Sequence, residues 1–400
     1  MIRLSDRVTA VKPSATVELN ARVLALRRSG VDIIKLNIGE PDFNTPENIR
    51  RAAKTAMDSG QTRYTPVPGT PELRSAIAEK LLRDNGLRYD PAQICVTTGA
   101  KQALLETLMA IVQPGDEVII PTPCWVSYES MVSIAGAVSV LVPTLQDPDR
   151  RFALDIAAIR AAVTERTRAV LINTPNNPTG VVYSRESLEQ LVELAVEYDL
   201  IVIADEIYEK LIYGGARHYS PAALSDAAME RCVTVNGFSK SYAMTGWRLG
   251  YLAGPKELVK AVSKLQGHIT SCTSSVSQAA GLEALTGSQA SVEEMRRAFD
   301  ERRQLMQQLC GQLPHVTCGP AQGAFYLTPD FSWYCGKSAD GKTLADSADI
   351  AGYLLDAAHV AVVPGDAFRA PGHLRLSYSN SVENIRRGME QIRLALERIS

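Results

Sequence analysis

A lysine, a carboxylate and an amide each stand at or just beyond the end of an apolar run in the sequence. Asp205 ends the most apolar run of the chain, Asn177 follows a second run, and Lys240 follows a third. Because the carboxyl ends of parallel strands meet at one edge of a sheet, we expect these side chains to lie close together. A buried lysine near a fixed cation such as Arg248 loses its proton more easily and becomes an amine nucleophile. A carboxylate at the floor of the same cleft can keep a heteroaromatic nitrogen protonated.

Each of these residues, taken alone, also has a purely structural interpretation. Asp205 could be a helix N-cap or an ion-pair partner, and an isolated lysine such as Lys240 is usually a surface residue. Segment 98–101 (TGAK) joins a predicted strand to a helix and could hold a phosphate by its backbone N–H groups, although one glycine turn is a weak signal. Segment 177–180 (NPTG) is first of all a turn sequence. The ordered combination of these features favours a catalytic site.

The hydrophobic pattern predicts the sheet that this arrangement needs. Continuous β-branched runs alternate with helical segments, as expected of a mostly parallel sheet that is buried on both faces. The predicted strands cover 93–97, 117–121, 168–173, 200–205 and 232–236, and the clearest helices cover 101–111 and 187–198. We therefore predict an α/β fold, with a large domain over residues 46–285.

The pattern changes after Gly287. A long polar helix, three short strands and a final helix follow, predicted at 292–309, 324–327, 360–363, 374–378 and 382–399. We predict that residues 286–400 form a smaller α+β domain together with residues 1–45.

Composition excludes several classes of protein. The 400 residues carry 42 Lys and Arg against 44 Asp and Glu, a net charge of −2 that argues against a strongly basic nucleic-acid binder. No stretch is apolar for long enough to span a membrane, and residues 1–7 lack the apolar run of a signal peptide. The seven cysteines include no C-x-x-C pair, which favours reduced thiols and a cytoplasmic location.

Other catalytic chemistries find little support in the sequence. The five histidines show no paired spacing, so we expect no metal site. The phosphate-binding P-loop, the hydrolase nucleophile motif and the Gly-rich dinucleotide fingerprint are all missing from the sequence.

Four motifs together resemble those of fold-type I, pyridoxal-phosphate-dependent aminotransferases. They are 37–43 (NIGEPDF), 177–180 (NPTG), 239–240 (SK) and 246–251 (GWRLGY), and the likeness runs from 12–16 to 374–378. The sequence is most similar to the class I bacterial aspartate aminotransferases, in the branch that includes dual aspartate/prephenate enzymes. The resemblance implies a mostly parallel seven-stranded sheet flanked by helices, with a smaller α+β domain.

The resemblance also implies which residues act on the cofactor, pyridoxal 5′-phosphate. Lys240 would hold the cofactor covalently and then shuttle the substrate proton. Asp205 would pair with the pyridinium nitrogen, while Tyr208 and Asn177 would bond the phenolic oxygen. Trp125 would stack on the pyridine ring.

The phosphate group has its own implied residues. Gly99, Ala100 and Arg248 would bind it, and Lys101 continues the same turn. Tyr64 would reach the phosphate from a second subunit, so we expect a homodimer.

Two groups of residues are implied for the substrate. Arg375 would clamp the α-carboxylate with both arms of its guanidinium, helped by Gly39, Trp125 and Asn177. A second carboxylate would be held by Lys12, Thr16 and Lys101, all of which are present. These residues favour aspartate or glutamate with 2-oxoglutarate or oxaloacetate, and they leave prephenate open. Because flexible lysines hold an anion less strictly than a rigid arginine, aromatic or other neutral amino acids stay candidate substrates.

Two positions depart from the pattern of the family. Many relatives carry serine where this chain has Gly237, so one phosphate hydrogen bond could be missing. Cys124 stands before the stacking tryptophan where tyrosine is common in this branch, which could change the pocket wall.

Two alternatives belong to other functional classes. A lyase on the same fold would release ammonia and an oxo acid from one substrate, whereas a transaminase requires an acceptor. A non-catalytic regulator that binds the cofactor would carry an attached DNA-binding segment, and the N-terminal region before the predicted fold is too short for one.

Overall fold

The computed structural model describes residues 2–11 and 15–399, and at residues 6, 10, 15–18 and 20 it describes the backbone alone. The α-helices of this part of the chain are α1 (Asp6–Ala10), α2 (Ala15–Arg28), α3 (Glu47–Asp58), α4 (Pro71–Lys80), α5 (Ala100–Ile111), α6 (Ser127–Ala135), α7 (Ile156–Ala161), α8 (Arg185–Glu197), α9 (Asp226–Arg231), α10 (Lys256–Ile269), α11 (Ser275–Thr286), α12 (Ala290–Cys310), α13 (Ser347–Ala357) and α14 (Val382–Leu396). Its strands are β1 (Ile34–Lys35), β2 (Ile94–Thr97), β3 (Glu117–Thr122), β4 (Val138–Pro143), β5 (Leu145–Gln146), β6 (Phe152–Ala153), β7 (Thr167–Asn173), β8 (Ile201–Asp205), β9 (Cys232–Gly237), β10 (Gly250–Ala253), β11 (Tyr326–Leu327), β12 (Ser338–Ala339), β13 (Lys342–Thr343), β14 (Val360–Ala361), β15 (Val363–Pro364) and β16 (Leu374–Ser377).

A seven-stranded sheet forms the centre of the molecule, which confirms the predicted α/β fold class. Its strand order is β2-β10-β9-β8-β7-β3-β4. The pairs from β9 to β4 are parallel, and β10 runs antiparallel to both of its neighbours. Strands β2, β3, β8 and β9 are buried along nearly their whole length, as a sheet covered on both faces requires.

Local signals in the sequence fix where the helices begin. In α8 the side chain of Ser184 accepts a hydrogen bond from the backbone N–H of Ser187, which satisfies one of the unpaired donors of the first turn. In α4 Thr70 caps the helix in the same way, and Pro71 occupies the first helical position, where its missing N–H costs nothing.

Separate hydrophobic clusters cover the two faces of the central sheet. One cluster includes Leu188 and Leu191 of α8, and the other includes Leu104 and Leu108 of α5. A third cluster holds the C-terminal elements together with residues 207–213 and with Ile34 and Leu36. The division of the chain into domains at residues 46 and 285 stays a prediction.

Some short strands differ from the sequence prediction. The predicted strand 360–363 is two strands, because β14 pairs with β1 and β15 pairs with β16. The predicted strand 324–327 shrinks to Tyr326–Leu327, since Ala324 has a φ of 58°, outside the extended region. Strands β4 and β10 were missed: β4 lies at the sheet edge with only one of its six residues buried, and β10 has only four residues.

Candidate active site

A cavity of about 710 Å³ opens at the carboxyl edge of the central sheet. Most of the residues implied for the site line it: Gly39, Ala100, Lys101, Trp125, Asn177, Asp205, Tyr208, Lys240, Arg248 and Arg375. The loops after β2, β3, β7, β8 and β9 deliver eight of these groups, because parallel strands all end on the same edge. Gly39 follows β1 and Arg375 lies on β16, so these two come from outside the central sheet. The tertiary structure therefore brings together residues that are hundreds of positions apart.

The remaining implied residues are not among the described residues that line the cavity. Gly99 caps the N-terminus of α5 and lies against Arg248. Tyr64 is 90% exposed and does not line the cavity of its own chain. Thr16 belongs to α2 but only its backbone is described, and Lys12 lies outside the described residues.

Lys240 follows β9 and projects into the cavity. Its Nζ donates a 2.5 Å hydrogen bond to the carbonyl oxygen of Gly39. Loss of hydration lowers the pKa of the ammonium group to about 8, and nearby Arg375 and Arg248 act in the same direction. About a tenth of this lysine is therefore a neutral amine at pH 7, and the fraction rises with pH; a nucleophile or a general base requires this neutral form.

Asp205 is the last residue of β8, and its side chain is buried. Its Oδ2 accepts a 2.7 Å hydrogen bond from the hydroxyl group of Tyr128, and its Oδ1 accepts one from the backbone N–H of Ile207. Burial raises the pKa of this carboxyl group to about 6, while the two hydrogen bonds oppose the rise. The structure thus fixes the carboxylate in a buried position, and no arginine or lysine of the described residues is hydrogen-bonded to it.

The N-terminus of α5 and Arg248 meet at Gly99. Gly99 has a φ of 82°, a left-handed backbone conformation that favours glycine, and Nη2 of Arg248 lies only 2.5 Å from where a Cβ atom would stand. The first N–H groups of a helix have no acceptor within the helix, so they can donate hydrogen bonds to a bound anion. A helix N-terminus beside a guanidinium group is a ready site for a phosphate.

Arg375 is a buried cation on β16, 3% exposed. Its Nη1 donates to Oδ1 of Asn177 at 3.1 Å, and its Nη2 donates to the carbonyl oxygen of Asn37 at 3.0 Å. The guanidinium carbon lies 4.5 Å from the centre of the Tyr326 ring, which holds the plane of the group in place. Among the described residues no carboxylate pairs with Arg375, so its charge is available to a ligand.

Aromatic residues form part of the walls, and the sequence analysis missed two of them, Tyr128 and Tyr326. The hydroxyl groups of Tyr208 and Tyr326 lie 3.0 Å apart. On another wall the Nζ of Lys101 lies 4.7 Å from the centre of the Trp125 ring and donates to Oγ of Ser127. Neither Tyr326 nor Tyr128 carries a sequence signal, since a tyrosine in an apolar segment is indistinguishable from an ordinary core residue.

The structure explains the departure from the family pattern at Gly237, and it places the departure at Cys124 in the hydrophobic core. At Gly237 a Cβ atom would lie 3.0 Å from both Cα of Gly250 and the carbonyl oxygen of Leu249, so a serine would need its neighbours to shift. Cys124 is buried in a hydrophobic cluster and is not among the described residues that line the cavity. The expected change of the pocket wall at Cys124 is therefore not observed among the described residues.

A buried charged cluster includes Glu206, the residue after Asp205. Glu206 accepts hydrogen bonds from Ser220 and shares one with His218, and Lys80 forms an ion pair with Glu209. Glu206, Glu209 and His218 place their polar atoms within 4.8 Å of one another. Lys80 already supplies a positive charge to this cluster, which lowers the pKa of Glu209 to about 2 against the effect of burial.

The comparisons with known proteins agree with this architecture. Residues 31–392 match the family model described as aminotransferase class I and II, and the chain belongs to this family. The aspartate/prephenate aminotransferase of Thermus thermophilus is 48% identical over 99% of both chains. The aspartate aminotransferase structure of Rhizobium meliloti superposes with a TM-score of 0.96, at 42% identity over the whole of both chains. The Thermus thermophilus aspartate aminotransferase determined with maleate has a TM-score of 0.92 and 47% identity over 99% of this chain and all of its own.

Class I aminotransferases use pyridoxal 5′-phosphate, and the cavity fits that group. The phosphate matches the α5 N-terminus beside Arg248, the aldehyde matches the amine of Lys240, and the ring nitrogen matches the buried carboxylate of Asp205. The close approach of Arg248 to Gly99, at the N-terminus of α5, supports the phosphate position most directly. No helix among the described residues has the length and apolarity to cross a membrane.

Proposed function

We propose that this aminotransferase moves the amino group between L-aspartate or L-glutamate and a 2-oxo acid such as 2-oxoglutarate or oxaloacetate. The observation that carries this proposal is one cavity containing the amine of Lys240 and two cations, Arg375 and Lys101, that could each hold a carboxylate. The Thermus and Rhizobium relatives, which both bear aspartate aminotransferase activity in their names, support the same substrate class.

Arg375 would bind and orient the α-carboxylate of the substrate. Its guanidinium is already fixed by Asn177, by the carbonyl oxygen of Asn37 and by the Tyr326 ring, so little entropy is lost when a carboxylate binds. Its buried Nε has no hydrogen-bond partner among the described residues. A buried donor in this state gains the most from a ligand oxygen.

Lys240 would move the proton at the substrate Cα. When bound, the cofactor supplies an aldehyde that accepts the amino group and a ring that withdraws electrons from the substrate Cα. Lys240, with a pKa of about 8, is basic enough to remove the Cα proton and acidic enough to return it. The oxo acid formed from the donor leaves before the acceptor binds, so we expect ping-pong kinetics.

Asp205, Tyr208 and Asn177 would hold the ring in its reactive state. Asp205 lies buried at the end of β8, where a negative charge would favour a protonated ring nitrogen. Tyr208 and Asn177 line the same cavity and would donate to the phenolic oxygen, while Trp125 would stack on the ring. Gly99, Ala100, Lys101 and Arg248 would bind the phosphate, and Gly39 would adjoin the substrate through its backbone.

We propose prephenate as a second amino acceptor. The relative from Thermus thermophilus bears aspartate and prephenate in its name, and so does the relative from Aquifex aeolicus at 44% identity. The cavity of about 710 Å³ leaves space for a ring-bearing acid beside the cofactor. Lys12 and Thr16 stay proposals for the second carboxylate together with Lys101.

We further propose a homodimer in which Tyr64 acts in the active site of the other subunit. The 90% exposure of Tyr64 and its position outside its own cavity support this arrangement. A cytoplasmic location is proposed on the cysteines, which are all free thiols.

The decisive experiment is the absorption spectrum of the purified holoenzyme before and after addition of L-aspartate without any oxo acid. Conversion to the spectrum of the aminated cofactor, with stoichiometric oxaloacetate, would support the aspartate half-reaction. A spectrum that does not change would contradict aspartate as the donor, and release of ammonia from one substrate would indicate a lyase. Recovery of the original spectrum on addition of prephenate would test the second acceptor.

A further inference from the structure

The cavity carries more positive charge than the proposed reaction uses. Its lining includes the acids Glu40 and Asp205 and the following cations: Arg27, Lys35, Lys101, Lys240, Arg248 and Arg375. The roles proposed above employ all of these cations except Arg27 and Lys35. Within the described part of the chain neither of these two side chains has an ion-pair partner.

Lys35 lies close to the α-carboxylate clamp. It ends strand β1 and lines the cavity, whereas the next residue, Leu36, is fully buried in the hydrophobic core. Side chains alternate along an extended chain, so Lys35 and Asn37 face the same side, with Cα atoms roughly 6–7 Å apart. The carbonyl group of Asn37 accepts from Arg375, so the backbone two residues after Lys35 contacts the clamp.

Arg27 lines the same cavity from α2. The chain reverses after α2 in a turn closed by hydrogen bonds from Gly30 to Arg27 and from Val31 to Leu26, and it then enters β1. Val23 and Leu24, on the adjacent turn of α2, also line the cavity. This part of the cavity lining therefore has the exposed apolar side chain of Leu24 one helical turn from the cation Arg27.

We infer that Arg27 and Lys35 form a second anion subsite, which binds the side-chain acid group of substrates longer than aspartate. Lys101 lies on α5, against Trp125, and would serve short dicarboxylates. Arg27 and Lys35 lie on α2 and β1, where the exposed side chain of Leu24 can cover a longer carbon chain or a ring. The inference rests on the proposed function, because it assumes that Arg375 holds the α-carboxylate.

Unreactive dicarboxylates of increasing length test the subsite without turnover. Binding of succinate, glutarate and adipate to the holoenzyme would be measured by isothermal titration calorimetry in wild type, Arg27→Gln, Lys35→Gln and the double variant. Arg28→Gln is the matched control, since Arg28 is exposed on the same helix but does not line the cavity. Because the site is partly exposed, we expect each single variant to weaken adipate binding by about fivefold, with less than twofold change for succinate.

Each outcome decides the inference. Weakening that grows with ligand length and is missing in Arg28→Gln supports the subsite. Equal weakening of all three ligands would show a general field of positive charge, and unchanged binding would show no contact; either result overturns it. If wild type binds none of the dicarboxylates and does not react with aspartate, the proposed function fails instead. Circular dichroism and bound-cofactor absorbance would confirm that the variants are folded.

Discussion

The hydroxyl group of Tyr128 donates a 2.7 Å hydrogen bond to Oδ2 of Asp205, although the two residues are 77 positions apart in the chain. Tyr128 lies in the first turn of α6 and Asp205 is the last residue of β8, and both side chains are almost completely buried. The hydrogen bond stabilises the charged form of a carboxyl group whose pKa burial has raised to about 6. Tyr128 is therefore a positioning residue for the carboxylate that would pair with the ring nitrogen.

Tyr128→Phe should remove the hydrogen bond that holds the Asp205 carboxylate, while the cofactor still binds. We expect kcat to fall by about tenfold or more, because a hydrogen bond to a charged group is lost. The affinity for pyridoxal 5′-phosphate and the pH dependence of the bound-cofactor absorbance should change together with kcat. Tyr183→Phe is the control, since Tyr183 is buried but its hydroxyl group makes no hydrogen bond within the described residues. Equal effects of both variants would show that only core packing was disturbed.

Lys240 should capture the cofactor faster as the pH rises. Its pKa is lowered to about 8, so the neutral amine grows from a small fraction at pH 7 to most of the population at pH 9. The rate at which apoenzyme binds pyridoxal 5′-phosphate covalently should increase roughly tenfold over this range, because only the neutral amine attacks an aldehyde. Stopped-flow absorbance would measure it. Lys240→Ala should keep the fold and lose the covalent cofactor; unchanged turnover in that variant would remove Lys240 from the mechanism.

Replacing Arg375 should affect every amino-acid substrate. Arg375→Ala removes a buried cation that two neighbours hold in place, and we expect kcat/KM to fall by about a hundredfold or more. Arg375→Lys should restore little, because a lysine cannot make two parallel hydrogen bonds. Steady-state kinetics with aspartate and phenylalanine would distinguish the cases. A loss confined to dicarboxylates would mean that Arg375 is not the α-carboxylate clamp.

The ion pair of Lys80 and Glu209 should contribute to stability. Both side chains are nearly inaccessible to solvent, so Lys80→Met leaves the charge of Glu209 without its main partner. We expect the free energy of unfolding to fall by about 3–5 kcal/mol, measured by urea denaturation. Lys210→Met, which breaks the more exposed pair with Asp84, should cost less than about 1 kcal/mol. Similar losses in the two variants would contradict this difference between buried and exposed pairs.

Tyr64 can be assigned to its subunit by complementation. Tyr64→Ala and Lys240→Ala should each have low activity, and a hybrid dimer of the two contains one site with both native residues. Mixing and reassembling the variants should therefore restore about a quarter of the wild-type activity if hybrids form at random. No recovery in a confirmed hybrid would contradict action in trans, and sedimentation of an active monomer would contradict the dimer itself.

Much of the fold followed from local patterns in the sequence. The buried strands β7, β8 and β9 and helices α5 and α8 were predicted within two residues at each end, because apolar runs and 3.6-residue periodicity are local properties. The prediction that the groups at the ends of these strands meet was also confirmed for Asn177, Asp205 and Lys240, which line one cavity. The reason is that parallel strands all end at the same edge of the sheet, so the groups that follow them lie at that edge.

Other parts of the site depended on the tertiary structure. Tyr326 lies 118 positions from Tyr208, and nothing in the chain near either residue indicates that their hydroxyl groups meet. Arg27 and Lys35 look like ordinary surface cations in the sequence, and only the placement of α2 and β1 over the sheet edge turns them toward the cavity. The sequence by itself determined the chemical groups and the edge on which they stand, since both follow from residue type and strand direction. The tertiary structure decided which uncharged partners and distant cations surround them, because those contacts arise only when separate elements pack together.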